Sequence, residues 1–168
     1  KMESPFGQML ATGSYDYTQL PALAARMVRR HLYPQESPNR QPLYPKGQNL
    51  LLQASLLPPA SLSAMLPSLE ISKAANLEGR LNTDSGLLVL NLSLPSFRYD
   101  QFYPEQVELH LRSTTDSLNL RAAVGQLEHP YLSLHKTSLD LNGQNGTLNW
   151  NLLTNDKEQQ LKYQLAGS

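Results

Sequence analysis

The chain has no cysteine, no net charge and no long apolar run, and each absence excludes a class of protein. Without cysteine there is neither a disulfide framework nor a catalytic thiolate. Fourteen basic residues balance fourteen acidic ones, whereas a nucleic-acid-binding domain usually carries a basic surface. The longest apolar run, around residues 50–57, is interrupted by Gln53 and Ser55 and falls well short of the roughly 20 residues that span a bilayer. We therefore expect no nucleic-acid partner and no membrane-spanning helix.

Motifs for catalysis and for cofactor binding are missing as well. The sequence has no Gly-x-Ser-x-Gly elbow and no glycine-rich phosphate loop. The four histidines lack the spacing of a zinc site, and the alternation of polar and apolar residues predicts solvent-exposed strand positions for them. These histidines are His31, His110, His129 and His135. The sequence thus predicts a protein that is not an enzyme and has no catalytic residue, metal or cofactor.

Leucine at alternate positions is the dominant pattern of the chain. Successive side chains of a strand point to opposite faces, so each such segment has one apolar and one polar face. Segments of this kind recur about every 8–12 residues with turn signals between them, which is typical of an antiparallel meander. The predicted fold class is mainly β: a curved antiparallel meander that forms a taco-shaped or half-barrel groove, with one amphipathic helix and a short helix at one end. The alternating segments are 77–81, 88–94, 107–111, 118–124, 132–134, 139–141, 148–152 and 161–165.

The N-terminal part follows a different pattern. Residues 16–33 place apolar side chains at the spacing of one helical face, which predicts an amphipathic helix with Asp16 or Thr18 as its cap. The predicted organisation is therefore a strand, this helix and a Pro-rich mobile loop in residues 1–48, and the β-meander with its apolar groove in residues 49–168. Residues 60–66 predict the short helix. Because the chain opens on Lys1 with no secretory signal, we expect one structural unit cut from a longer protein.

The sequence of the meander also predicts tight turns and one shift in the phase of the apolar–polar alternation. Thr83-Asp84-Ser85-Gly86 predicts a tight turn between two strands. Leu132 and Leu134 are out of phase with Leu139 and Leu141, which predicts a bulge or bend near residues 136–138.

Four aromatic residues lie close together within residues 95–104: Phe97, Tyr99, Phe102 and Tyr103. The favoured interpretation is a loop that its rings pin to the core. The alternative is a binding platform, or an edge that is anchored at a membrane or a partner.

Three phrases of the sequence resemble a known family. They are Leu-Glu-Gly-Arg-Leu-Asn-Thr-Asp at 77–84, Leu-Asn-Leu-Ser-Leu-Pro-Ser-Phe-Arg-Tyr at 90–99 and Gln-Leu-Lys-Tyr-Gln-Leu at 160–165. With the leucine ladder between them, they look like an internal segment of a TamB-type translocation and assembly module protein. Such proteins belong to the AsmA-like group, and the likeness is to the versions in Bacteroides-like bacteria. It covers most of residues 48–168.

The resemblance implies a long periplasmic protein whose inner-membrane anchor lies outside this fragment. The β-rich body of that family forms an apolar groove. It is associated with phospholipid transport between the inner and outer membranes and with outer-membrane protein assembly beside an Omp85-type barrel. No catalytic residue is implied. The helix and Pro-rich loop at 16–48 depart from the family pattern. Two alternatives therefore remain for this segment, a plain groove and a locally closed unit.

Two functional hypotheses result. In the first, the groove carries phospholipid acyl chains; in the second, a closed core without lipid forms a structural or interaction module whose terminal strands pair with neighbouring β segments or with a partner. Leucine in place of β-branched residues suits a lining for chains of varied shape, but compositional bias explains it equally well. The predicted lipid-groove lining is Leu81, Leu90, Leu92, Leu109, Leu111, Leu120, Leu134, Leu141, Leu148, Trp150 and Leu152.

Overall fold

A computed structural model describes residues 2–4, 7–32, 45–56, 69–71, 73–144 and 146–168. It contains one helix, α1 (Leu20–Leu32), and eleven strands within these ranges. The strands are β1 (Met2–Ser4), β2 (Gly7–Ser14), β3 (Asn49–Leu56), β4 (Leu69–Ile71), β5 (Ala75–Asn82), β6 (Leu87–Tyr99), β7 (Tyr103–Ser113), β8 (Ser117–His129), β9 (Leu132–Gln144), β10 (Thr147–Asn155) and β11 (Leu161–Gly167). The short helix predicted at 60–66 and most of the predicted Pro-rich loop lie outside the described residues.

The strands form one open antiparallel sheet that follows the chain. Its order is β1-β2-β3-β5-β6-β7-β8-β9-β10-β11, and the short β4 pairs separately with β6. Among the described strands, β11 pairs with β10 and not with the first strands, so the sheet is not closed into a barrel. The predicted fold class, a mainly-β antiparallel meander with one amphipathic helix, is confirmed.

Tight turns join consecutive strands where the sequence predicts them. Residues 83–86 connect β5 to β6, with Gly86 at a φ of 62°. The backbone N–H of Ser85 donates to Asn82 Oδ1 at 3.0 Å, and the N–H of Gly86 donates to the Thr83 carbonyl at 3.4 Å. Because only glycine adopts a left-handed conformation without steric cost, Gly86 fixes this turn and with it the register of the two strands.

Helix α1 begins later than the sequence pattern predicts, because a side-chain turn precedes it. Asp16 Oδ1 accepts from the backbone N–H of Thr18 at 3.0 Å, and Asp16 Oδ2 accepts from Gln19 Nε2 at 2.8 Å. The hydroxyl of Thr18 also donates to Asp16, and these bonds hold the pKa of the Asp16 carboxyl below its ordinary value. The first helical residue is then Leu20, and Pro21 stands in the first turn, where its missing N–H is harmless.

The helix packs across one end of the sheet. A single row of residues, one from each of seven strands and all on the same face, lies beneath it; we call it the covered row. Leu23 and Met27 of α1 pack there against Leu50, Leu81 and Leu88. The covered row consists of Leu50, Leu81, Leu88, Ser113, Leu118, Gly143 and Leu148.

Polar contacts fix the C-terminal half of the helix over this row. Ser113, which is fully buried, donates its hydroxyl to the Met27 carbonyl at 3.0 Å. Arg30 donates to the Thr115 carbonyl, and His31 Nε2 lies 3.0 Å from the Thr114 carbonyl. Gly143 permits the close approach: a Cβ built there would lie 3.4 Å from the His31 Cβ and 3.3 Å from the Leu118 Cβ.

Two strands in the middle of the sheet, β7 and β9, each contain a residue with a left-handed backbone conformation at the end of the sheet away from α1. Gln106 on β7 and Lys136 on β9 have φ angles of 53° and 43°, and neither is paired in the ladders that flank it. Opposite β9, the register of β10 also shifts between Leu153 and Asn155. The bulge predicted near 136–138 is thus confirmed, and Gln106 is a second irregularity of the same kind.

Candidate functional site

Two further rows of side chains lie on the same face as the covered row. Register places residues directly across from one another on neighbouring strands, so each row runs across the whole sheet. The middle row is Ala11, Leu52, Gly79, Leu90, Leu111, Leu120, Leu141, Trp150 and Gly167. The far row is Met9, Ala54, Leu77, Leu92, Leu109, Ala122, Leu139, Leu152 and Leu165.

The helix is too small to cover these rows. Its 13 residues make a rod about 20 Å long and about 10 Å wide. Ten strands at about 4.8 Å spacing make a sheet about 43 Å across, and successive rows on one face are about 6.7 Å apart. The helix therefore covers its own row, and of the middle row only Ala11, Leu52 and Leu111 pack against the core cluster that it forms with the sheet. The leucines of the middle and far rows are half-buried, and only Leu165 among them is exposed, at 55%.

We call the middle and far rows together the open face. It brings together most of the predicted lining residues: Leu90, Leu111, Leu120, Leu141 and Trp150 in the middle row, and Leu92, Leu109 and Leu152 in the far row.

Three predicted lining residues lie elsewhere. Leu81 is only 4% exposed and packs beneath α1 in the covered row, outside the open face. Leu148 also belongs to the covered row. Leu134 lies beyond Lys136, where the left-handed backbone interrupts the alternation that orders the other leucines.

Several members of the open face were not among the predicted lining residues. Leu52, Leu77, Leu139 and Leu165 share rows with residues that were. Each of them follows the same two-residue alternation as the predicted residues, so the sequence pattern already placed them on this face. What was missing was the register between strands.

The opposite face of the sheet is mainly polar and charged, although Leu10 on β2 and Leu51 on β3 are exposed there. Arg121 on β8 lies 3.8 Å from Asp140 on β9, and His110 contacts Asn91 at 3.1 Å and Glu108 at 3.7 Å. Asn91, His110, Arg121 and Asp140 line a shallow, solvent-open depression. Their ion pairs are exposed and contribute little to stability. The two faces of the sheet are therefore chemically distinct, as the alternation predicts.

Trp150 widens the open face toward the β11 edge. A Cβ built at Gly167 would lie 2.6 Å from the Trp150 Nε1, so the indole ring lies directly over this glycine. Any larger residue at position 167 would displace the ring. The largest aromatic side chain of the face is thereby held next to the last strand.

Phe102 and Tyr103 of the aromatic cluster lie at a hairpin end and not in the core. Phe102 is 44% exposed and stacks on His129, with 4.5 Å between ring centroids. The Arg98 guanidinium lies 4.6 Å from the centre of the Tyr103 ring. The favoured interpretation, a loop pinned to the core, is therefore wrong for Phe102 and Tyr103, because the rings contact polar neighbours on the adjacent strands.

The described part of the chain contains neither a metal site nor a membrane-spanning helix. There, no group of three or more histidine and acidic side chains is close enough to hold a metal ion. The one described helix is neither long enough nor apolar enough to cross a membrane.

Comparison with known proteins gives no match: no family model, no curated protein and no solved structure is significantly similar to the chain. The geometry of the open face and the three sequence phrases therefore carry the functional proposal.

Proposed function

We propose that the open face binds phospholipid acyl chains and that the chain is a non-enzymatic segment of a TamB-like lipid conduit. The observation that carries this proposal is the size of an apolar surface that α1 leaves uncovered. Nine strands, β2, β3 and β5 to β11, contribute to it with no intervening charged side chain in either row. A contiguous apolar surface of this extent that stays partly accessible to solvent is typical of an interaction site.

Acyl chains suit this surface better than a folded partner would. Burial of one methylene group is worth about 0.8 kcal/mol, so ten methylenes laid on the face would contribute up to about 8 kcal/mol before entropic costs. Leucine side chains have more rotamer freedom than valine or isoleucine, and they can adapt to flexible hydrocarbon. No directional polar group in the rows would select one headgroup, except the indole N–H of Trp150.

The cellular setting of the proposal comes from the resemblance. A TamB-like segment would lie in the periplasm, between an inner-membrane anchor and the outer membrane. Its neighbours would be further β segments of the same protein, with an Omp85-type barrel as a partner in outer-membrane protein assembly. The polar face, with its exposed ion pairs, would then be in contact with water.

A matched pair of substitutions tests the lipid proposal. Leu92 lies in the far row, and Ser93 is its neighbour on the polar face, opposite Glu108. In Leu92→Lys, an acyl chain that binds along the far row has to remove water from the lysine ammonium group, and this desolvation cost opposes binding. In Ser93→Lys, the same group faces water beside a carboxylate and should be harmless.

The measurement is quantitative mass spectrometry of lipid extracted from protein purified without detergent. We expect the wild type and Ser93→Lys to retain phospholipid, and Leu92→Lys to lose most of it while its circular dichroism is unchanged. Wild-type protein that carries no lipid and takes none up from phospholipid vesicles would contradict the proposal.

The second hypothesis, a module with a closed core, is favoured by one observation at one end of the sheet. Leu23, Met27, Leu50, Leu81 and Leu88 form a dry cluster there, as a packed core would. If lipid were absent and Leu92→Lys unfolded the protein, this interpretation would hold for the whole face.

A further inference from the structure

The apolar face gives way to polar side chains at the end of the sheet away from α1. Strands β6 and β8 contain no left-handed residue, and β6 to β9 keep the same register on both sides of Gln106 and Lys136, so the rows beyond the far row stay on the same face. The next row, which we call the border row, is mainly apolar and consists of Leu94, Val107, Val124 and Thr137. The two rows after it form the polar rim: Ser96, Glu105, Gln126 and His135, and then Arg98, Tyr103, Glu128 and Ser133.

A depression of about 400 Å³ opens in the polar rim. Its lining residues come from three hairpin ends, those that join β6 to β7, β8 to β9 and β10 to β11. They include Arg98, Asp100, Tyr103, Glu128 and Lys157. Small-molecule sites in proteins have volumes of about 300–1,000 Å³, so the depression is large enough for a small polar group.

The lining carries charges of both signs, and neighbouring groups orient two of them. Arg98 Nε donates to the Asp100 carbonyl at 3.3 Å, and Glu128 Oε1 accepts from Gln126 Nε2 at 2.7 Å. Lys157 and Glu128 are exposed, so each can reach a ligand in the depression. Cations that suit a phosphate and a carboxylate that suits an ammonium group are thus present in one place.

The distance between α1 and the polar rim fits one acyl chain. The middle, far and border rows are about 6.7 Å apart, so these three rows provide about 20 Å of accessible apolar surface along the strands. The hydrocarbon core of a bilayer is about 30 Å thick, so the acyl chains of one leaflet extend about 15 Å. A lipid that lies along the strands with its methyl ends near α1 would therefore place its headgroup at the rim.

We propose that this depression binds the phosphate and amino groups of a phospholipid headgroup, while the acyl chains lie along the strands toward α1. Arg98 and Lys157 supply positive charge to the phosphate, and Glu128 accepts a hydrogen bond from the ammonium group. This headgroup site rests on the proposed function, because it needs acyl chains on the open face. It adds the orientation of the lipid and the groups that recognise its polar end.

The open face separates a phospholipid from a soluble phosphate ester of the same headgroup chemistry. The depression is shallow and open to solvent, where single ion pairs contribute little to binding. The acyl chains must therefore supply most of the affinity, and the depression fixes which end of the lipid lies at the rim.

Two photoreactive phosphatidylethanolamines test the orientation. One carries a diazirine at the methyl end of an acyl chain and the other carries it beside the ester bond, and both keep an intact headgroup. After irradiation of vesicles with the full chain, mass spectrometry maps the adducts. The methyl-end probe should label the middle row, for example Leu111, and the ester-end probe should label the border row and the rim, for example Val107.

A matched pair of lysine substitutions tests the headgroup contact. Lys157→Gln removes a cation of the depression, and Lys46→Gln makes the same change at the α1 end of the sheet, beside the contact of Gly47 with Asp84. Lys157→Gln should weaken uptake of phosphatidylethanolamine about fivefold, the upper range for one exposed ion pair. Uptake of diacylglycerol, which has no phosphate, should be unchanged, and Lys46→Gln should affect neither lipid. Circular dichroism checks that both variants fold.

Reversed or equal labelling by the two probes would overturn the headgroup site. Undiminished uptake of phosphatidylethanolamine by Lys157→Gln, or an equal loss of diacylglycerol uptake, would overturn it as well. Glycerophosphoethanolamine, which has the headgroup without acyl chains, should bind far more weakly than the lipid, and equal affinity would overturn the assignment to a lipid.

The probes also separate this site from the proposed function. If the headgroup site fails while lipid adducts form on the open face, the proposed function stands and only the orientation is wrong. If neither probe forms an adduct, both the headgroup site and the proposed function are contradicted.

Discussion

The two ends of one apolar face behave differently because a single helix covers only one of them. At the covered row, Leu118 is 1% exposed and Ser113 is fully buried, and side chains of α1 fill the space above them. One or two rows along the same strands, leucines of the same sequence pattern remain half-buried. Identical alternation thus produces a packed core at one end and an accessible surface at the other.

The two ends of the sheet therefore contribute differently: the covered end adds stability, and the open face stays accessible. The covered row and α1 supply tertiary stability that a single-layer sheet lacks, since a sheet needs a second layer to bury its apolar face. Stability anchored at one end leaves the remainder free for a ligand. Substitutions at the two ends should therefore have different consequences, and the following predictions compare them.

Truncation of a leucine should cost far more at the covered row than at the far row. Leu118→Ala removes a fully buried side chain and should lower the free energy of unfolding by about 2–5 kcal/mol. Leu109→Ala, in the far row, should cost only about 1 kcal/mol, because its side chain is half-buried. Urea denaturation of lipid-free protein measures both. Equal losses would mean that the far row is packed as tightly as the core.

Removal of the buried hydroxyl at Ser113 should have an intermediate effect. Ser113→Ala leaves the Met27 carbonyl without this donor and should cost about 0.5–1.5 kcal/mol in the same urea measurement. Ser93→Ala, an exposed serine on the polar face, is the matched control and should be neutral. A neutral Ser113→Ala would show that this contact does not hold the helix on the sheet.

The smallest effect is expected from the titration of His31 at the end of the helix. Burial lowers the pKa of His31 below its ordinary value of 6.5, the neighbouring Arg30 adds to this, and the hydrogen bond to the Thr114 carbonyl opposes it. As the pH falls through 6.5, the unfolded chain binds a proton before the folded one does, so stability declines until the pH reaches the folded pKa.

The control for this titration is His31→Gln, which removes the ionisable group and keeps the other three histidines. The stability advantage of wild type over His31→Gln should shrink between pH 8 and pH 5 in thermal or urea unfolding. An advantage that is constant with pH would show that His31 titrates alike in the folded and unfolded chains.

The alternation of leucine predicted much of this structure, because period and face follow from local geometry. It predicted the meander, the side on which Leu90, Leu109 and Leu120 lie, and the irregularity at Lys136. The amphipathic stripe of α1 likewise predicted a buried face.

What the pattern could not predict was where the helix docks, since that depends on contacts between residues far apart in sequence. Leu81 has the same alternation as Leu90, yet only Leu81 lies under α1. The small residues that admit the helix, Ser113 and Gly143, are recognisable only once the register places them in one row. The position of Phe102 was misjudged for a similar reason, because its partner His129 comes from another hairpin, whereas Tyr103 contacts Arg98 of its own hairpin.

Site-specific photo-cross-linking tests the central claim most directly. A benzophenone amino acid at Leu109, in the far row, and one at the adjacent His110, on the polar face, probe the two sides of one strand. After incubation with phospholipid vesicles and irradiation, mass spectrometry should find phospholipid adducts at position 109 and few or none at position 110. Adducts at neither position, or equally at both, would contradict an apolar face that holds acyl chains.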